Sequence, residues 1–148
     1  MPLREAEILW DGALSRGTGT LSSTGGALDQ LAVTWAGRMG EPDGNTSPEE
    51  LIAAAHASCF AMALAFVLDD DQTPPGRLTV RATCALSSAS GAPRITKVKL
   101  TVRAQIPGLD KTGFDHTIGR AAELCPVSNA LRGNVEISVQ AELEEQGR

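Results

Sequence analysis

Three cysteines and two histidines supply the reactive groups of this sequence, and their settings differ. Cys59 lies inside an uncharged run from Leu51 to Leu68, with His56 three residues before it. Cys125 directly precedes Pro126, where a helix restarts. A thiol in such settings can serve as a nucleophile, as half of a redox pair or as a metal ligand. Cys84 instead fills one slot of the alternating stripe Leu78, Val80, Ala82, Cys84, Leu86 and reads as a small apolar filler. His56 admits three readings: a core histidine, a base that activates Cys59, or a metal ligand alongside Cys59 and Cys125. That trio lacks the paired spacing typical of zinc sites, so no metal is expected. His116 reads as a surface residue.

The stretch around Cys59 must be held by one long helix with a marked start. Ser47 can cap its free N–H groups, Pro48 suits the first helical position, and Glu50 completes a Ser-x-x-Glu capping box. Pro48-Glu49-Glu50 also puts negative charge at the positive end of the helix dipole. Seven alanines from Ala53 to Ala65 favour helix, while Ile52, Phe60, Met62, Leu64, Phe66 and Val67 leave no polar face. A helix that is apolar all round must be buried. About 18 uncharged residues is also the lower limit for crossing a bilayer. This run, however, is alanine-rich, carries His56 and Ser58, and ends at Asp69-Asp70-Asp71 without a nearby Lys or Arg anchor. It reads as the central helix of a soluble domain.

Around it the pattern is mostly strand. Glu5 to Asp11 alternates, with Ala6, Ile8 and Trp10 on one face, and Asp11-Gly12 signals a hairpin turn. Short strands follow at Thr18 to Ser23 and Leu31 to Trp35, and Gly37 to Asn45 is loop chemistry that includes Arg38. Leu78 to Leu86 and Val98 to Ile106 alternate strictly and make a long hairpin with one buried face. Asp110 can cap a second helix whose stripe is Phe114, Ile118, Ala121, Ala122 and Cys125. Val127 to Leu131 makes a short further turn, Val135 to Leu143 a last strand, and Glu142 to Arg148 a polar tail. Strands, helix, long hairpin, helix and strand give an α+β fold with an antiparallel sheet, a single domain over 1–148. One sheet face cannot enclose a helix apolar on every side, so an obligate homodimer is expected. Two cysteines on facing helices can be bridged only if their Cα atoms approach to about 4.4–6.8 Å, which spacing leaves open.

Composition narrows the function classes. The net charge is −5 and the basic residues are scattered, which argues against a nucleic-acid groove or an anionic membrane surface as partner. Aromatics are 3% of the 148 residues and Tyr is absent, so the core must be aliphatic and alanine-packed. No apolar signal segment opens the sequence, and a cytoplasmic location is expected. In that compartment three cysteines point to thiol chemistry, metal binding or packing rather than to a structural disulfide framework.

The segment from Ser47 to Leu64, with Ala54-Ala55-His56-Ala57-Ser58-Cys59 at its heart, resembles the central-helix motif of the osmotically inducible protein C (OsmC) family. That superfamily also contains the organic hydroperoxide resistance proteins. Leu124-Cys125-Pro126-Val127-Ser128-Asn129-Ala130-Leu131 is similar to the second cysteine motif. Trp10-Asp11-Gly12 with Arg16-Gly17-Thr18-Gly19 resembles the opening hairpin, and Ile95-Thr96-Lys97-Val98 the long one. The resemblance implies an intertwined homodimer with antiparallel sheets wrapped around central buried helices. It implies a thiol-dependent peroxidase of oxidative or osmotic stress defence that reduces organic hydroperoxides and, less well, hydrogen peroxide.

By motif, the resemblance makes Cys59 the peroxidatic cysteine, Cys125 the resolving one, and the two together a redox-active disulfide. Glu49 matches the family's glutamate. Arg38, before the central helix, is the first candidate for the family's arginine and Arg16 the second. No bound cofactor is implied; an external dithiol or lipoyl-type reductant must reset the enzyme. Phe60, Ala61 and Met62 would supply apolar walls for an alkyl hydroperoxide. The alternative is a module that binds a small ligand or metal through Cys59, Cys125 and His56 without turnover.

Overall fold

The computed structural model describes residues 1–145, which form two compact units, one of residues 1–51 and one that begins at Ile52. The first unit is an antiparallel sheet of β1 (Ala6–Asp11), β2 (Thr18–Ser23) and β3 (Leu31–Val33), in that order. In the β1–β2 hairpin Ile8 stands opposite Leu21 and Trp10 opposite Gly19. A Cβ on Gly19 would come within 2.9 Å of both Ile8 and Trp10, so the large side chains of β1 need a residue without one across from them. β1 is otherwise exposed along its whole length.

Two expectations for this unit are corrected. The segment read as strand to Trp35 and then loop contains a short helix, α1 (Trp35–Met39), with Arg38 in its last turn. Thr34 starts it: the Thr34 hydroxyl accepts from the Gly37 N–H at 3.0 Å. Five residues around a glycine are too few to leave a periodic signal, which is why sequence patterning passed over it. The chain then returns beside β3, where the Thr46 N–H donates to the Ala32 carbonyl at 2.9 Å, and enters α2 (Pro48–Asp70). At that helix start the Ser47 hydroxyl accepts from the Glu50 N–H at 3.1 Å, as the cap predicts. The return half of the capping box is not made, because Glu50 accepts instead from the Thr46 hydroxyl at 2.8 Å.

The second unit has a sheet of β4 (Arg77–Ser87), β5 (Arg94–Gln105) and β6 (Glu136–Leu143), with α3 (Lys111–Leu124) and α4 (Pro126–Leu131) between β5 and β6. β4 and β5 are the expected long antiparallel hairpin. β6, however, runs parallel to β5, with Val98 beside Ile137 and Val102 beside Ala141. A wholly antiparallel sheet is therefore corrected to a mixed one. The reason is the connection: strand, helices, strand is a crossover, and a crossover returns the chain in its original direction. Part of the expected polar tail belongs to this sheet. Leu143 is in β6, and the Glu144 N–H donates to the Ala104 carbonyl at 2.8 Å. Residues 146–148 lie outside the described part.

The core of this unit joins Phe60, Leu64 and Leu68 of α2 to Leu100, Val102 and Ala104 of β5, Ile106 just after it, and Phe114 and Ala121 of α3. Truncating Phe60 or Phe114 to Ala would cost about 3–5 kcal/mol. Within the chain α2 is covered on one face only, and the other is the face for which a partner copy is expected. Met62 stays 67% and Phe66 63% exposed within the chain. By length and composition alone α2 could cross a membrane, and one third of its most apolar 18-residue window is buried.

Candidate active site

Cys59 and Cys125 come together through the packing of α2 against the α3–α4 junction. The helix period sorts the α2 side chains into two faces. His56, Phe60 and Leu64 point into the core, whereas Cys59, Met62, Ala63 and Phe66 share the adjacent face. Cys125 ends α3 and begins α4, and Pro126 at the first position of α4 accounts for the break. Cys125 is wholly buried and Cys59 half-buried, and the two side chains hydrogen-bond each other. An open pocket of about 380 Å³ lies over them, lined by Cys59, Met62, Ala63, Phe66, Leu124 and Pro126. Of the two thiols, only Cys59 lines it.

The pocket corrects the expected walls. Met62 is there, but Phe60 is sealed in the core and Ala61 does not line the cavity. The residues sequence reasoning missed are Ala63 and Phe66 on the same face of α2 as Met62, and Leu124 and Pro126, which flank the second cysteine. The first two could have been found from the spacing 59, 62, 63, 66. The others needed the fold.

Three influences meet at Cys59. Burial pushes its thiol pKa up, a hydrogen bond from the Val127 backbone N–H pulls it down, and the neighbouring Cys125 pushes it up again. The net direction is upward, so the thiolate, the reactive form of a cysteine, needs help from positive charge.

His56 does not supply that charge. Its Nε2 lies 2.7 Å from the Ser128 hydroxyl in a fully buried contact, and burial holds its pKa below the usual 6.5. Nδ1 is buried with no hydrogen-bond partner among the described residues. Of the three sequence readings, the core histidine describes it. Among the described residues no three His, Cys, Asp or Glu side chains converge to hold a metal.

In the first unit Arg38 and Glu49 form a bidentate ion pair. Arg38 Nε donates to both carboxylate oxygens, at 3.2 and 3.1 Å, and Nη2 to Oε1 at 2.7 Å. The hydrogen bond to Glu49 raises the Arg38 pKa, so the guanidinium is permanently charged. Thr34 through its cap on α1 and Ser47 through its cap on α2 set the two ends of this pair. Arg16 is exposed in the turn between β1 and β2. Cys84 lies half-buried in β4 opposite Val98, in the stripe the alternation assigned to it.

A family model described as OsmC-like protein matches residues 40–140. The chain is 35% identical over 137 residues to Peroxiredoxin OsmC of Escherichia coli (strain K12), spanning 93% of this chain and 95% of that one. It is 30% identical over 122 residues to an organic hydroperoxide resistance protein of Xanthomonas axonopodis pv. citri (strain 306), spanning 82% and 84%. Among solved structures, an organic hydroperoxide resistance protein from Elizabethkingia anophelis superposes with a TM-score of 0.77 at 27% identity, covering 97% of this chain and 98% of the other.

Proposed function

The chain belongs to the OsmC-like protein family, and we propose that it is a cysteine-based peroxidase that reduces organic hydroperoxides and, less efficiently, hydrogen peroxide. Relatives named peroxiredoxin and organic hydroperoxide resistance protein support a peroxidase-type function. The observation that carries the reading is the Cys59–Cys125 contact beneath an apolar pocket that Cys59 alone of the two lines.

In the proposed cycle the Cys59 thiolate attacks the terminal peroxide oxygen. The O–O bond breaks, the alkoxide takes up a proton and leaves as alcohol, and Cys59 becomes a sulfenic acid. Cys125 then attacks that sulfur, an S–S bond forms, and water leaves. A dithiol, of dihydrolipoyl type, donates two electrons and two protons to restore both thiols. Met62, Ala63, Phe66 and Leu124 would shelter an alkyl group, which favours organic over inorganic peroxide.

Arg38 supplies the positive charge that Cys59 lacks, and Glu49 orients it. Ten residues of helix separate Glu49 from Cys59, about 15 Å at 1.5 Å per residue. A carboxylate cannot span that length along its own helix. The proposed enzyme is therefore a cytoplasmic homodimer in which the Arg38–Glu49 pair of one copy serves Cys59 of the other. The uncovered apolar face of α2, with Met62 and Phe66, supports such pairing.

The deciding measurement is consumption of cumene hydroperoxide against hydrogen peroxide with dihydrolipoamide as reductant. Turnover should be faster with the organic peroxide, vanish in Cys59→Ser, and leave a Cys59–Cys125 disulfide with Cys84 still a thiol by peptide mapping. A wild-type protein that consumes neither peroxide, or whose main bridge contains Cys84, overturns the proposal.

A further inference from the structure

α2 and α4 meet through two paired contacts. Cys59 of α2 receives a hydrogen bond from the Val127 N–H of α4, and His56, three residues earlier on α2, bonds the very next residue of α4, Ser128. His56 is 0% and Ser128 2% exposed, so water does not compete for this bond. Among the described residues it is the one side chain-to-side chain hydrogen bond from α2 to a residue within Pro126–Leu131; the Cys59–Cys125 bond reaches only the cap of α4.

The start of α4 needs such a tie. A helix of six residues is marginal by itself. Its cap residue, Cys125, makes no side-chain capping bond, and Pro126 has no N–H to give. Asn129 Nδ2 to the Glu123 carbonyl and Arg132 Nη2 to the Ala122 carbonyl, both 3.1 Å, tether α4 back to α3 rather than to α2. The tautomer follows from the unpartnered Nδ1. A proton there would bury an unmet N–H, whereas a proton on Nε2 leaves only a lone pair unmet, the cheaper state. Nε2–H therefore donates to the Ser128 Oγ, and His56 stays neutral. It can bring position to Cys59 but no charge.

We propose that His56 and Ser128 are positioning residues: their buried hydrogen bond fixes the first turn of α4 so that the Val127 N–H points at the Cys59 sulfur and Cys125 stays beside it. The purpose of this clasp rests on the peroxidase reading; its measurement does not. Removing it lets the amide swing away from the sulfur and costs the thiolate a hydrogen bond.

The test is the pH profile of Cys59 alkylation by iodoacetamide, resolved by mass spectrometry, in proteins whose cooperative melting is retained. Ser128→Ala and His56→Leu should raise the midpoint by about one pH unit, a roughly tenfold slower reaction at neutral pH. His56→Gln places an amide N–H₂ near the Nε2 position and should restore most of the profile, while His56→Asn, which reaches only as far as Nδ1, should not. Unchanged midpoints in Ser128→Ala and His56→Leu overturn the proposal. Equal shifts in the Gln and Asn variants overturn it too, because they would indicate packing rather than the hydrogen bond. If none of the variants folds, wild-type NMR decides: the Val127 amide shift must move with Cys59 ionisation, and a flat response refutes the clasp. A wild type that turns over no peroxide would sink the peroxidase reading and leave this profile interpretable.

Discussion

Two polar pairs hold α2, and they are built on opposite principles. Arg38–Glu49 is charged, bidentate and partly open to water, with 29% of the arginine side chain exposed. His56–Ser128 is neutral, single and sealed. The difference follows from desolvation. A guanidinium keeps its charge at the rim of a fold, where water and a carboxylate share its solvation. A histidine in the core must stay neutral, because charging it there costs more than one hydroxyl can return. The first pair can project an electric field; the second can only fix a position. The proposed chemistry needs both, since burial pushes the Cys59 thiol pKa up.

Breaking the charged pair should have the larger effect. Arg38→Ala is expected to slow the first-turnover reaction of Cys59 with cumene hydroperoxide about a hundredfold, as measured by stopped flow. Arg38→Lys should fall between, since an ammonium keeps the charge but loses the two-pronged grip on Glu49. Arg16→Ala serves as the control and should stay within about twofold. A large loss in Arg16→Ala with none in Arg38→Ala would move the role to the hairpin turn.

Mixed dimers sharpen the contrast further. Under the proposed arrangement the charged pair acts across the dimer and the neutral pair within its own chain. Mixing Cys59→Ser with Glu49→Ala subunits should then leave one intact site per heterodimer and recover about half of wild-type activity. Mixing Cys59→Ser with Ser128→Ala should recover nothing beyond the average of the parents. Equal behaviour of the two mixtures would erase the distinction.

The smallest expected effect is in stability against pH. His56 is held below 6.5 by burial, so the unfolded chain binds its proton first as pH falls. The stability that depends on neutral His56 is fully present above about pH 6.5 and is lost progressively below it. Between pH 7.5 and 5 the wild-type melting temperature should therefore fall more steeply than that of His56→Gln. A parallel decline in both would mean that His56 titrates alike in the folded and unfolded chain.

Much of this was legible in the residues. Ser47 and Pro48 marked the start of α2, Asp110 the start of α3, and Cys125-Pro126 the break into α4, because caps and prolines act through local backbone geometry. Alternation found β4 and β5 because a half-buried strand has period two. The two cysteine motifs pointed to the family through residue types alone. Tertiary structure decided the rest. Whether β6 runs parallel or antiparallel depends on the path through α3 and α4, not on its own alternation. A helix apolar all round gives no sign of which face its chain covers, so Phe60 passed for a pocket wall while Phe66 was overlooked. Glu50 bonds Thr46 rather than closing its box, since a neighbouring hydroxyl brought in by the loop competes for the carboxylate. The partnership of His56 with Ser128, 72 positions apart, had no local signature at all. Local chemistry fixes where elements begin and end; only packing decides which side chains meet.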